Sequence, residues 1–548
     1  MKIFFYNIYF YIINNKLRKF LIHNYSVFSS KKIKSNKIIL VEFNNWHPVH
    51  ISFSYVANFL SQKYNAKLHA YTGYTLISER LSKSLLNRIK FFIGNLLRIN
   101  NFAVYRSFGI DKIFYPKISE TVLNKSNKVF KDIKKKIKTK KDVLNLKIEN
   151  IEIGDLIYDT YLKNYEVPTV DIHDKKFQYF LNDVIILFYY WKFFFEHNEV
   201  SGIVTGHSVY TFAIPLRIAI SKKIPSFTTG APRWLYQLNK KSHLCETEFK
   251  FFRNNFKKLS NQDQKIALRE AKRRVHLRLK GKVGVDMWYS TRSSFGKIKS
   301  KRVIAKSNRI KVLIATHCFF DAPNAIGKLL FSDFYEWIKF LGKFSKHTNY
   351  DWYIKTHPDY KKESYVQIKK LVKEFPRLKL IDSDISHHQL KKEGINFALT
   401  CYGTIGFEYA LLGIPVINAS VNNPHINYNF NFHPKNLKEY LALLKNLDKL
   451  KLNINKKEIY EYYFMMHIYY SKDWLFNNIV RIENEMGGFR KIFNRKLYEI
   501  WMNEFSEKKH FKILDTLENF MKSKSFRLSY INLKHDLKNE IKKGKNIK

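Results

Sequence analysis

The sequence is poor in cysteine, glycine, proline and acidic residues. Its three cysteines, Cys245, Cys318 and Cys401, are far apart and form no CxxC pair. That excludes a disulfide scaffold and a structural zinc site, and it fits a reducing compartment. Glycine (19) and proline (12) are scarce among 548 residues while Lys, Asn, Ile, Phe and Tyr dominate, the usage that AT-rich coding produces. Acidic residues number 46 against 97 Lys and Arg, a formal charge of +51. No apolar run reaches the ~20 residues that span a bilayer. The only candidate, Ile3 to Ile13, is broken by Asn7 and followed by Asn14, Asn15, Lys16 and Arg18. It has no basic stretch before it and no small-residue cleavage site, so neither a cleaved signal nor a spanning helix is expected. Two readings stay open for it: a helix in the membrane interface, Phe and Tyr inward and Lys outward, or an ordinary helix docked on the body.

What is abundant is core material. Hydrophobic residues make up 45% and aromatics 16%, which excludes wholesale disorder. The length exceeds the ~250–300 residues at which single cores stop growing, so several domains are expected. The basic excess attracts nucleic acid, an anionic membrane surface or an anionic substrate through the same field, and coding bias alone would also supply lysines. Charge does not choose among them.

Short apolar runs alternate with helical stretches from Lys37 onward. Residues 38–43 and 67–71 read as strands around a helix over 52–64; 125–147 is a lysine-rich solvated stretch. A helix over 177–196, a strand over 202–206, a helix over 211–221 and a strand over 225–228 follow. The alternation fades between 231 and 308, where Lys265 to Lys282 reads as a basic helical connector. It resumes with strands at 310–316, 352–355, 378–381, 397–400 and 415–417, each separated from the next by a helical stretch. Beyond Leu437 the chain reads as helical and aromatic with a lysine-rich tail. Strands separated by helices imply parallel sheets, so the expected class is α/β with two doubly wound Rossmann-like domains facing a cleft and extra C-terminal helices. The expected boundaries are 1–36, 37–230, 231–308, 309–436 and 437–548.

Ligands bind where strands end and helices begin in such sheets. The strongest junction is Thr400-Cys401-Tyr402-Gly403-Thr404-Ile405-Gly406-Phe407-Glu408, followed by Gly413-Ile414-Pro415 and a strand. Free amides at a helix start make an anion site, Gly403 and Gly406 permit close approach of a phosphate, and Thr404 can cap the helix or donate its hydroxyl. Glu408 lies one turn further on, within reach of ribose hydroxyls. Lys355-Thr356-His357-Pro358 ends another strand. His357 there can donate to a phosphate oxygen or protonate a leaving phosphate, Lys355 adds charge, and Pro358 stiffens the turn. Thr316 and His317 end the first strand of the same half. In the N-terminal half, His47 and His50 follow the first strand as candidate general bases. Asp155 and Asp159 are the carboxylate alternative, and His207 ends another strand on what would be the acceptor side. Individually each of these N-terminal residues is also an ordinary structural residue.

The arrangement KTHPD followed by TCYGTIGFEYALLGIPVINAS resembles the C-terminal half of bacterial GT-B glycosyltransferases, especially capsular and surface polysaccharide biosynthesis proteins. The GDLIYDTYL segment and the strand leading into NNWHP are similar to the same group. The resemblance implies a nucleotide-sugar donor held in the C-terminal domain, with His357 near its phosphates, Gly403 and Thr404 cradling them and Glu408 on the ribose. It implies no bound metal and no cofactor. The partners would be the donor and a glycan or lipid-linked acceptor at the anionic inner face of the membrane, with the protein cytoplasmic or peripheral there and no nucleic acid bound. A glycerophosphotransferase or sugar-nucleotide epimerase of the same fold, and a basic nucleic-acid-binding protein, are the alternatives.

Overall fold

The computed structural model describes residues 15–28, 33–72, 84–230, 233–241, 247–287, 290–357, 359, 362–470 and 473–543. The aromatic N-terminal segment, Cys245, Pro358 and the end of the lysine-rich tail therefore lie outside the described residues. The chain divides into two compact units. One comprises Met1–Ile157, Ile172–His243 and Ser471–Asp536; the other comprises Tyr158–Asp171, Leu244–Tyr470 and Leu537–Lys548. The basic segment expected as a connector thus belongs largely to the second unit, and the C-terminal extension is shared out between both.

The first unit is built on a six-stranded sheet of order β3-β2-β1-β6-β7-β8. Its strands are β1 (Ile38–Phe43), β2 (Lys67–Thr72), β3 (Ile110–Phe114), β6 (Val200–Thr205), β7 (Ser226–Thr228) and β8 (Tyr236–Leu238); β4 (Lys147–Ile148) and β5 (Ile151–Glu152) form a separate hairpin. All pairs in the main sheet are parallel except β7 with β8. The helix α1 (Asn15–Phe28), α2 (His47–Tyr64) and residues 474–533 pack into one core, where Phe20 stacks on Tyr498 at 3.9 Å between ring centroids. The 23-residue helix α3 (Lys175–His197) runs longer at both ends than its apolar pattern predicts, because Asp174 caps it through the Lys176 amide. The helix α2 starts at His47, five residues before the expected start. Pro48 in its first turn lacks only an amide that would be unpaired there, and so favours this start.

The second unit carries a five-stranded parallel sheet of order β11-β10-β9-β12-β13. These are β9 (Lys311–Ala315), β10 (Asp351–Lys355), β11 (Leu378–Ile381), β12 (Phe397–Thr400) and β13 (Val416–Asn418). Side chains of period two divide between its faces. Val312, Ile314, Trp352, Ile354, Leu399 and Ile417 enter one cluster, and Leu313, Tyr353, Ala398 and Val416 the other. A sheet buried on both faces is written as unbroken apolar runs, which is why this half was legible. Its helices include α4 (Asn261–Leu279), α5 (Phe334–Ser345), α6 (His387–Lys392), α7 (Ile405–Leu411) and α8 (Lys456–His467). In each unit the strand order reverses beside the first strand, between β1 and β6 and between β9 and β12. Reversal splays the two crossover connections apart and opens a crevice at the strand ends.

Candidate functional site

The crevice at the β9/β12 reversal is a pocket of about 100 Å³ lined by Thr316, His317, Lys355, His357, Gly403, Thr404 and Glu408, and also by Arg278, Ser294, Thr356, His387 and Thr400. Pockets that take a whole small molecule run to ~300–1,000 Å³, so this one has room for only one end of such a ligand. The strand-end residues singled out in the C-terminal half converge here, with one exception. Gly406 is not among the lining residues. A Cβ on it would run into the buried His425 ring and lie 2.9 Å from Asn431, so its missing side chain serves packing beneath α7 rather than phosphate approach.

The turn after β12 is held by His317. Its Nε2 accepts the Cys401 amide at 3.3 Å and lies 3.0 Å from the Thr400 hydroxyl, which in turn accepts the Gly403 amide at 3.1 Å. An Nε2 that accepts an N–H carries no proton, so the His317 proton sits on Nδ1. The ring stacks on Phe334 at 4.6 Å, and burial, aided by His357, lowers its pKa to about 3. A Cβ at Gly403 would come within 2.8 Å of the Thr400 hydroxyl, so this turn requires glycine. Thr404 does not cap α7 with its side chain, which leaves its hydroxyl for the pocket.

Two cations and one carboxylate set the charge. Lys355, 3% exposed at the end of β10, donates to the Ser383 carbonyl at 2.8 Å, and burial lowers its pKa to about 8 against the pull of Asp384 and Glu408. At neutral pH it remains charged and keeps two N–H donors beyond that bond. Glu408 is buried, and its Oε1 accepts from the Arg278 Nε at 2.7 Å. The carboxylate expected to face a ribose is therefore engaged by an arginine from α4. Sequence reasoning missed Arg278 because it stands in a run of basic residues 130 positions from its partner, and it also passed over His387 and Ser294, which line the same pocket.

His357 is half-exposed, and its Nδ1 accepts the Asp359 amide at 3.1 Å, which puts its proton on Nε2. The Asp359 carboxylate is itself held by the Thr291 amide at 3.1 Å. Burial is the main cause lowering the His357 pKa, and burial pushes His387 well below the ordinary range while its Nδ1 lies 2.9 Å from the Tyr409 hydroxyl. At neutral pH the His357 ring is a neutral donor, suited to hydrogen-bonding an anion rather than to delivering a proton as imidazolium. With Arg278 and Lys355 against Glu408, the pocket carries a net charge of about +1. Among the described residues no group of His, Cys, Asp or Glu could hold a metal ion.

The N-terminal candidates do not gather in this way. His50 is fully buried in α2 between the Tyr498 hydroxyl at 2.6 Å and the Asn44 carbonyl at 3.0 Å, and burial lowers its pKa to about 3. It is a core strut. His47 is the first residue of α2, half-buried, with its pKa lowered by burial and by Arg495. Asp155 forms an ion pair with the buried Arg217 at 2.6 Å. Asp159 is buried and accepts both the backbone amide of Asn324 at 3.1 Å and its side-chain amide at 2.8 Å, within the second unit. His207 follows β6 and packs against Tyr210 at 6.1 Å. At this reversal the buried Glu42 accepts the Gly206 amide at 2.7 Å, and burial raises its pKa. It was missed because an isolated glutamate inside a strand reads as an ordinary strand residue.

No family model matches the chain, and no curated protein does. Among solved structures it is similar to the UDP-GlcNAc 2-epimerase of Neisseria meningitidis bound to UDP-GlcNAc, at 12% identity over 78% of this chain and 98% of that one, with a TM-score of 0.23. The S. aureus MnaA–UDP structure is similar at 12% identity over 91% of this chain and 97% of that one, with a TM-score of 0.18. Likenesses this slight carry no argument, so the α/β class rests on the strand order and the site on its own geometry.

Proposed function

We propose that the second unit binds a nucleotide sugar by its phosphates, and that the chain is a glycosyltransferase in which the nucleoside phosphate is the leaving group. The observation that carries this is the buried Lys355 ammonium beside Arg278 and the His357 Nε2–H at the sheet reversal. A buried cation is costly and persists where an anion needs it. As the glycosidic C–O bond breaks, negative charge develops on the leaving phosphate, and donors already fixed around it stabilise that charge without reorganisation. An acceptor hydroxyl then forms the new C–O bond and gives up its proton to a base. The acceptor is a surface-type glycan or a lipid-linked one.

A sugar-nucleotide epimerase is the second reading, because an elimination that releases the same leaving group would use the same pocket. The two separate on whether an acceptor is required. Thermal shift against UDP-, CMP- and GDP-linked sugars identifies the ligand, since binding to the folded state raises the melting temperature. Release of nucleotide only with an acceptor present supports the transferase; interconversion of the sugar nucleotide alone supports the epimerase. No shift with any sugar nucleotide overturns both.

A further inference from the structure

A second feature of the same unit faces α4 from another side. The basic residues of α4 divide between two of its faces. Arg274 and Arg278 turn inward, the first to Glu270 at 2.8 Å and Asp286 at 2.9 Å, the second to Glu408. Arg269, Lys272 and Arg273 instead line a groove of about 540 Å³ together with Lys456 from the start of α8. Its remaining walls are His276 and apolar groups, chiefly Leu279, Leu411 and the Tyr460 ring, and no carboxylate lines it. Arg273 is paired with Glu270 at 2.7 Å, whereas Arg269, Lys272 and Lys456 have no ion-pair partner among the described residues.

Unpaired cations cost little while solvated, but three of them, with the paired Arg273, around one largely apolar trough repel one another, and the arrangement is stabilised by an occupant that is anionic at one end and apolar at the other. Lone lysines of coding origin would scatter over the surface instead of converging on a cavity. We infer that this groove is a binding site for a phosphate-bearing membrane lipid, its headgroup on Arg269, Lys272, Arg273 and Lys456 and the start of its acyl region on Leu279, Leu411 and Tyr460. The helix that presents these cations also presents Arg278 to the phosphate pocket, five residues beyond Arg273, or about 7.5 Å along a helix. A lipid held here stands near the proposed transfer site without sharing its lining residues. The inference does not depend on the proposed activity, and its test separates the two.

The test is sedimentation of the full-length chain with vesicles of phosphatidylcholine alone or with phosphatidylglycerol at about one third. Three proteins are compared: wild type, the groove variant R269E/K272E/K456E, and a control with the same charge change on the exposed K131E/K134E/K135E helix of the first unit. The milder K272Q/K456Q variant covers the case in which triple reversal unfolds the protein. The expected result is binding to the anionic vesicles that falls at least about tenfold in the groove variants and less than threefold in the control. Equal losses in groove variant and control, or no binding by the wild type, overturn the assignment. So does displacement from vesicles by millimolar inorganic phosphate, which would make the groove a free-anion site, or by polyuridylate, which would make it a nucleic-acid site. Sugar-nucleotide thermal shifts on the same samples are expected to be unchanged in the groove variants. Loss of those shifts in the wild type would end the proposed function while leaving the lipid site standing.

Discussion

Replacing Lys355 by methionine should make the protein more stable and less able to bind its ligand. Burial lowers the Lys355 pKa from the ordinary 10.5 to about 8. At ~1.4 kcal/mol per tenfold, carrying that charge burdens the fold by about 3 kcal/mol below pH 8. The sign follows from proton counting. Between pH 8 and 10.5 the unfolded chain binds more protons at this lysine than the folded one, so its contribution to stability rises with pH, and the full burden is present at neutral pH. Methionine keeps the stem and removes the ammonium, but it leaves the Ser383 carbonyl without its donor at a cost of about 1–2 kcal/mol. The net expectation is a gain of about 1–2 kcal/mol at pH 7, read as a higher urea midpoint at unchanged slope. The gap to wild type should narrow as pH rises from 8 to 10. Anion affinity should fall about 10–100-fold, because a charge-assisted hydrogen bond is worth about 1.5–3 kcal/mol. A variant that is clearly destabilised and still binds would mean that Lys355 is a structural strut, and the reasoning would fail.

Three further outcomes are expected. Gly403→Ala should cost about 1 kcal/mol of stability and at least tenfold in sugar-nucleotide affinity, because the added methyl displaces the Thr400 hydroxyl from the turn; calorimetric titration checks it, and unchanged affinity would remove the turn from the site. A double-mutant cycle on Arg278→Met and Glu408→Gln should return a coupling of about 2 kcal/mol or more, with the Arg278 change alone the costlier because it strands a buried carboxylate. Asp155→Asn should lower the melting temperature by a few degrees through its pairing with Arg217 and leave sugar-nucleotide binding and turnover intact; turnover lost at full stability would reinstate Asp155 as a catalytic residue.

The chain itself determined that it folds as α/β, and where most strands lie in the second unit. Buried parallel strands such as Val312 to Ile314 and Phe397 to Leu399 are apolar on both faces, and their short length between helical stretches marks them as strands. It also determined which side chains stand at strand ends, since Lys355 closes β10 and His357 and Gly403 lie two and three residues beyond β10 and β12. The edge strand β3 escaped notice because only two of its five residues are buried and the rest of its pattern is charged or mixed. Beyond this the decisions were tertiary. Whether Glu408 is free or paired depended on Arg278 arriving from a helix 130 residues earlier. His50 became a core strut because Tyr498 and Asn44 closed around it. Gly406 packs against the ring of His425 and does not line the pocket. The basic run on α4 is a single string of charges in sequence, and only the packing of its two faces separated Arg278, which lines a pocket, from Arg269 and Lys272, which line a groove. Local pattern specifies elements because their periodicity is carried by neighbours in the chain, whereas a charge acquires its partner, its burial and hence its chemistry only from residues that are distant in sequence and adjacent in space.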